Sequence, residues 1–204
     1  MIALFGELVQ TGNAALLPIL QDSHELARFL DSIPLKDIGL INLASYPDRV
    51  YTVEHQVLHL LSQNEFQPSS PLESPSTACI IKPLLHALLL HIYTNLRLSP
   101  VAPKIRGTLV ARLYGCLNVT DLVARNQDFP AELVWVGSLG GTSAVAGSKE
   151  RTWLKEQLRW MMIVNNWHEW EWDMIGEWLR SGLWLENGVL ASCGVLWQEI
   201  LKDK

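Results

Sequence analysis

The chain predicts an all-α, multi-helix domain. Three observations lead there. Apolar residues recur at helical spacing along most of the 204 residues, strand-like alternation does not recur, and 49% apolar against 18% charged residues fits a globular chain. The periodic segments number about seven to nine. One domain over 1–204 is the default for this length. A sub-boundary is drawn in the Pro/Ser stretch QPSSPLESPST, 67–77, separating a helical part, 1–66, from 78–204.

The elements follow in order. Leu26, Phe29 and Leu30 predict a short helix stopped near Pro34, and Val53, Val57, Leu60 and Leu61 predict a second with one apolar face. The stretch 67–77 cannot continue it. Leu85, Leu88, Leu89, Ile92 and Leu96 then line one side of an expected amphipathic helix ended by Ser99-Pro100 and Pro103. Ile105, Leu109, Leu113 and Leu117 continue at helical spacing. Leu133 to Val145 reads as a nearly all-apolar central helix, its glycines placed for close approach of another backbone. Ser148 is expected to cap the next helix, with Glu150 in its first turn and Leu154, Leu158 and Met161 facing inward. Asn166 and Glu169 have capping-box spacing, after which Trp170, Met174 and Trp178 share a face. The final helix is expected to bury Leu190, Cys193, Trp197 and Ile200 or Leu201.

All nine tryptophans fall between Trp135 and Trp197. Trp is large and mostly buried on average, so this density implies helices packed through wide aromatic contacts. The segment also carries an ordered set of landmarks: Trp135, Gly140-Gly141, Glu150-Arg151 with Trp153, Trp167-His168-Glu169-Trp170, Gly182-Leu183-Trp184-Leu185, and Leu196-Trp197-Gln198-Glu199-Ile200. In that order they resemble the regulatory domain of fungus-specific transcription factors, the helical region that follows a zinc binuclear cluster in that family. The resemblance covers about residues 80 to 204 and only loosely the part before. It implies a regulator of transcription located in the nucleus, with the cytoplasm as the other location. Many such relatives govern biosynthetic gene groups, so a link to fungal secondary metabolism is expected from the family.

The family's DNA-binding module needs six closely spaced cysteines, whereas this sequence has Cys79, Cys116 and Cys193, far apart. A formal net charge of −5 without a dense Lys/Arg run also disfavours phosphate contacts, so no direct nucleic-acid binding is expected. Scattered cysteines point to a reducing compartment and to thiols that act as small buried hydrophobes. The opening MIALFGELVQTG is too short to span a bilayer and lacks a basic start, and no membrane association is expected.

Candidates for chemistry are few. His55 and His59, four apart, would share a helix face but lack a third ligand, while His86 and His91, five apart, would point in different directions. His168 has Glu169 and Asp173 nearby, yet adjacent helical residues do not face each other. The stretch from Gly137 to Ser143 resembles a phosphate loop only in its glycines, with no Gly-Lys-Ser/Thr ending. Trp167, Trp170, Trp172 and Trp178 are the candidate wall of an apolar pocket or partner surface, with core packing as the plainer reading and Trp172 off the main stripe. No catalytic residue, cofactor or metal is assigned. Three functions stay open: a regulator acting through a protein partner, a homo-oligomer or a small apolar effector; an enzyme of secondary metabolism reusing the helical scaffold; and an inactive truncated fragment.

Overall fold

The computed structural model describes residues 15–33, 45–66, 75–98, 102–120, 122–167, 179 and 189–202. Among them are eight α-helices and no strand: α1 (Leu16–Ser32), α2 (Ser45–Phe66), α3 (Pro75–His91), α4 (Pro103–Asn118), α5 (Leu122–Asp128), α6 (Pro130–Ser143), α7 (Lys149–Val164) and α8 (Val189–Lys202). A π-helical turn, Ile92–Leu96, extends α3 and closes with the Arg97 N–H donating to the Ile92 carbonyl at 3.0 Å.

The first helix ends where the chain requires it. Ile33 is extended, at φ −94° and ψ 121°, because a residue before proline avoids the helical region. Its inward face is Leu16, Ile19, Leu20, Leu26 and Ala27. Phe29, part of the predicted apolar spacing, is 40% exposed and stacks on Tyr46 at a centroid separation of 5.6 Å. Helix α2 buries the predicted Val53, Val57, Leu60 and Leu61, extended toward its start by Val50 and Tyr46. This stripe packs on α1 on one side and on α3 on the other.

Two expectations for α3 are corrected. The helix begins at Pro75, inside the predicted 67–77 loop, because proline in a first turn gives up only an N–H that has no intrahelical acceptor. The helix is also not amphipathic. Leu84, Leu85, Ala87, Leu88, Leu89 and Leu90 are all buried, because α2, α4 and α6 cover it on several sides. Pro83 lies within the helix without ending it.

Helix α4 buries Leu109, Leu113 and Leu117 as predicted, with Val110 beside them, while Ile105 in its first turn stays 44% exposed. Helix α6 is the central helix. It contacts α3, α4, α5, α7 and α8, and its residues from Glu132 to Gly141 are buried. It starts with Pro130 at the first position and stops at Ser143, so Val145 lies outside it and is exposed.

Gly147, at φ +76°, makes the turn into α7 in the left-handed region that glycine adopts without a Cβ clash. The Ser148 hydroxyl then accepts from the Arg151 N–H at 3.2 Å, the predicted cap, and Glu150 occupies the first turn. At the other end Asn166 has φ 59° and its N–H donates to the Ile163 carbonyl at 3.2 Å. It therefore closes α7 in the left-handed conformation common after a helix, rather than opening the next helix from the extended region a capping box requires. Glu169, Trp170, Met174 and Trp178 lie outside the described residues. Helix α8 buries Cys193, Leu196, Trp197 and Ile200, with Leu201 partly buried.

Candidate functional site

Among the described residues, the landmarks Trp135, Gly140, Gly141, Glu150, Arg151, Trp153 and Trp197 lie on α6, α7 and α8, which pack on one another. Their meeting rests on missing side chains. A Cβ on Gly137 would lie 3.0 Å from Leu158 Cδ2, one on Gly140 would lie 2.9 Å from Leu113 Cδ2 and 3.1 Å from Leu154 Cδ1, and one on Gly141 would lie 2.8 Å from Leu196 Cδ2. The α6 glycines thus receive leucine side chains of α4, α7 and α8, not another backbone as the sequence reading expected.

Arg151 ties these helices together by directed bonds. Its Nη1 donates to the Gly141 carbonyl at 2.6 Å and its Nη2 to Glu199 Oε1 at 2.9 Å. Lys155 approaches the other Glu199 oxygen at 3.4 Å. The Arg151 hydrogen bond, helped by the nearby charge of Arg151 and by Lys155, holds the Glu199 carboxyl below its ordinary range. Because α6 ends near Gly141, its carbonyl is short of intrahelical donors, and a guanidinium can take that role. Trp135 and Trp197 are fully buried, and Trp153 meets Tyr114 edge to face at 5.2 Å and 87°. Trp184 lies outside the described residues.

Of the candidate aromatic wall only Trp167 is described, and it is buried within the main core cluster. His168, Trp170, Trp172 and Trp178 lie outside. His55 and His59 are exposed on α2, the latter at 2.9 Å from Gln63 Nε2. Among the described residues no group of three or more His, Cys, Asp and Glu could hold a metal. No helix among them is long and apolar enough to cross a membrane. Cys116 is half-buried and Cys193 buried, and burial pushes the Cys193 thiol up to about 12 against the opposing hydrogen bond of Thr142. The stretch from Gly137 to Ser143 is helix, which removes its likeness to a phosphate loop.

The fold also brings together a polar cluster that the sequence reading missed. Glu54, 7% exposed on α2, accepts from the Tyr93 hydroxyl and from Arg97 Nη2. The Arg97 guanidinium lies 4.3 Å from the Tyr93 ring centroid and 5.2 Å from that of Tyr51. Burial, then the hydrogen bond and charge of Glu54, raise the Tyr93 phenol above its ordinary value. Burial works to lower Arg97, and the Glu54 hydrogen bond and charge outweigh it, leaving that group raised. A carboxylate next to Val53 on a buried stripe was the available signal, since buried charges require partners. Its partners, 39 and 43 residues away, left no local trace.

Beside this cluster Tyr46 donates to the Leu96 carbonyl at 2.8 Å, joining the start of α2 to the π turn. His91, at the end of α3, is 0% exposed and 6.3 Å from the Trp135 ring. Its Nδ1 is 2.9 Å from Asn95 Nδ2, while its Nε2 has no hydrogen-bond partner. Burial lowers its imidazole to about 3, so it is neutral at ordinary pH.

The chain matches no known family model, no curated protein and no solved structure.

Proposed function

We propose that this chain is a transcription-regulator-like protein, related to the regulatory domain of fungus-specific transcription factors and acting through a protein partner or a small effector. The observation that carries the reading is the ordered landmark set. Its support is physical as well as sequential: Gly140, Gly141, Arg151, Trp153 and Trp197, separated along the chain, belong to helices that pack together, and Arg151 bonds directly to Gly141. These 204 residues hold three scattered cysteines and a net charge of −5, so the contact with DNA comes from a partner that supplies the positive surface. On this reading the protein works in the nucleus, and its targets form a biosynthetic gene group.

Paired transcript and metabolite profiling of a strain lacking the gene tests this. Coordinated change across one gene group is the expected result. Unchanged transcripts with a single accumulating intermediate would overturn it in favour of an enzyme. No change in either would leave an inactive fragment as the account.

A further inference from the structure

Helix α2 carries two histidines on its solvent side. His55 and His59 are both exposed and four residues apart, well inside a helix that runs unbroken over Ser45–Phe66, so the backbone fixes their spacing. Cβ atoms at that spacing lie about 5–6 Å apart on one face. Two imidazole nitrogens can then close on one ion, since metal–nitrogen bonds of about 2.0–2.1 Å bring neighbouring ligand atoms to about 3 Å from each other. Gln63, one turn further on, meets His59 Nε2 at 2.9 Å. That contact holds the ring and supplies the outer partner that a metal-ligating histidine takes on its second nitrogen. His86 and His91 differ in both respects, being five apart and buried.

Charge and donor type fix the class of ligand. Arg49, the only Lys or Arg of α2, lies six residues before His55 and is paired with Glu25 at 2.9 Å, and the net charge of −5 favours the approach of a cation. Neutral imidazole suits zinc, nickel and copper, whereas magnesium and calcium take oxygen ligands. We propose that His55 and His59 chelate one divalent transition-metal ion of the zinc, nickel or copper kind on the surface of α2. Two protein ligands leave its other positions to solvent or to a donor from another molecule. Gln56 stands where the His-Glu-x-x-His motif of zinc proteases has its glutamate, so the site holds a metal without the base that hydrolysis needs. The inference goes beyond the regulator reading and does not rest on it, since neither histidine belongs to the landmark segments.

Calorimetric titration of the whole untagged chain with Ni²⁺, at a pH where a ligating imidazole is neutral, tests it. One equivalent is expected to bind, more tightly than Mn²⁺, and Mg²⁺ is expected not to bind. His55→Gln and His59→Gln should each weaken Ni²⁺ at least about tenfold, because each leaves one ligand where two acted together. The same loss is expected when His59→Gln is combined with Ser62→His, which keeps the number of histidines but sets the pair about 10 Å apart along the helix. All three positions are exposed, so the circular dichroism melts should stay close to the parent's. Should a variant fail to fold, broadening of the parent's amide NMR signals by the paramagnetic Ni²⁺ locates the ion instead, and is expected to centre on residues 55–59. Parent-like affinity in the relocated pair would overturn the chelate in favour of separate single histidines. Parent-like affinity in both single variants, or broadening centred on another helix, would overturn it by placing the ion elsewhere. Mg²⁺ binding as tightly as Ni²⁺ would reduce the site to a counter-ion, and no saturable binding would remove it. None of these outcomes bears on the transcript profile, so the two readings fail separately.

Discussion

His91 makes stability depend on pH in a calculable direction. Its folded value is about 3 against an ordinary 6.5, because full burial disfavours the imidazolium. Between those values the unfolded chain binds the proton and the folded chain does not. The contribution is therefore whole above 6.5 and is lost progressively as pH falls toward 3. At about pH 5 the loss is ~2 kcal/mol, from roughly 1.5 pH units at 1.36 kcal/mol each. That is a measurable share of a typical domain stability of about 5–15 kcal/mol. The assay is urea unfolding followed by tryptophan fluorescence at about pH 7.5 and about pH 5, for the parent and for His91→Phe. The variant keeps a planar ring against Trp135, removes the unpartnered Nε2 and leaves half-buried Asn95 free to bond water. The parent should lose ~2 kcal/mol more than the variant over this interval, a difference in which every other titrating group cancels. Equal losses would refute the reasoning and mean that the proton reaches His91 without unfolding, or that the imidazole is not held neutral.

The glycines of α6 and α4 should behave oppositely. Gly140→Val, forced between Leu113 and Leu154, should cost ~2–3 kcal/mol by overpacking, whereas Gly115→Ala, with open space around it, should raise stability by ~0.5–1 kcal/mol; thermal melts of the two decide. Ser148→Ala removes the acceptor for the Arg151 N–H and should cost ~1 kcal/mol in denaturant unfolding. Arg151→Met should cost ~1–3 kcal/mol by taking the donor from the Gly141 carbonyl, while Glu199→Gln, at a partly exposed position, should cost no more than ~1 kcal/mol; equal costs would mean that the ion pair and not the carbonyl bond matters.

Much of the helical frame was legible because its signals are local. The α2 stripe of Val53, Val57, Leu60 and Leu61 needs only the 3.6-residue period, and the Ser148 cap needs only a side chain three residues from the N–H it receives. The same logic failed where burial came from several neighbours. Helix α3 was read as one-sided from Leu85, Leu88, Leu89, Ile92 and Leu96, yet Leu84, Ala87, Leu90 and even His86 and His91 are inside with them. Asn166 misled because asparagine serves both as a helix cap and as a left-handed stop, and only its φ of 59° distinguishes the roles.

The candidate sites divide along the same line. The landmark residues were visible as an ordered set, and no pattern along the chain could say that leucines of α4, α7 and α8 seat on the α6 glycines or that Arg151 reaches the Gly141 carbonyl. Of the Glu54, Tyr93 and Arg97 cluster only the buried position of Glu54 left a signal, since its partners lie 39 and 43 positions away. By itself, then, the sequence determined the all-α class, the Ser148 cap and most of the inward faces, because each follows from backbone sterics and periodic burial within a few residues. Only the tertiary structure decided which histidine loses its charge and which distant groups gather around the Arg97 guanidinium, because these depend on desolvation and contact between segments the chain itself keeps apart.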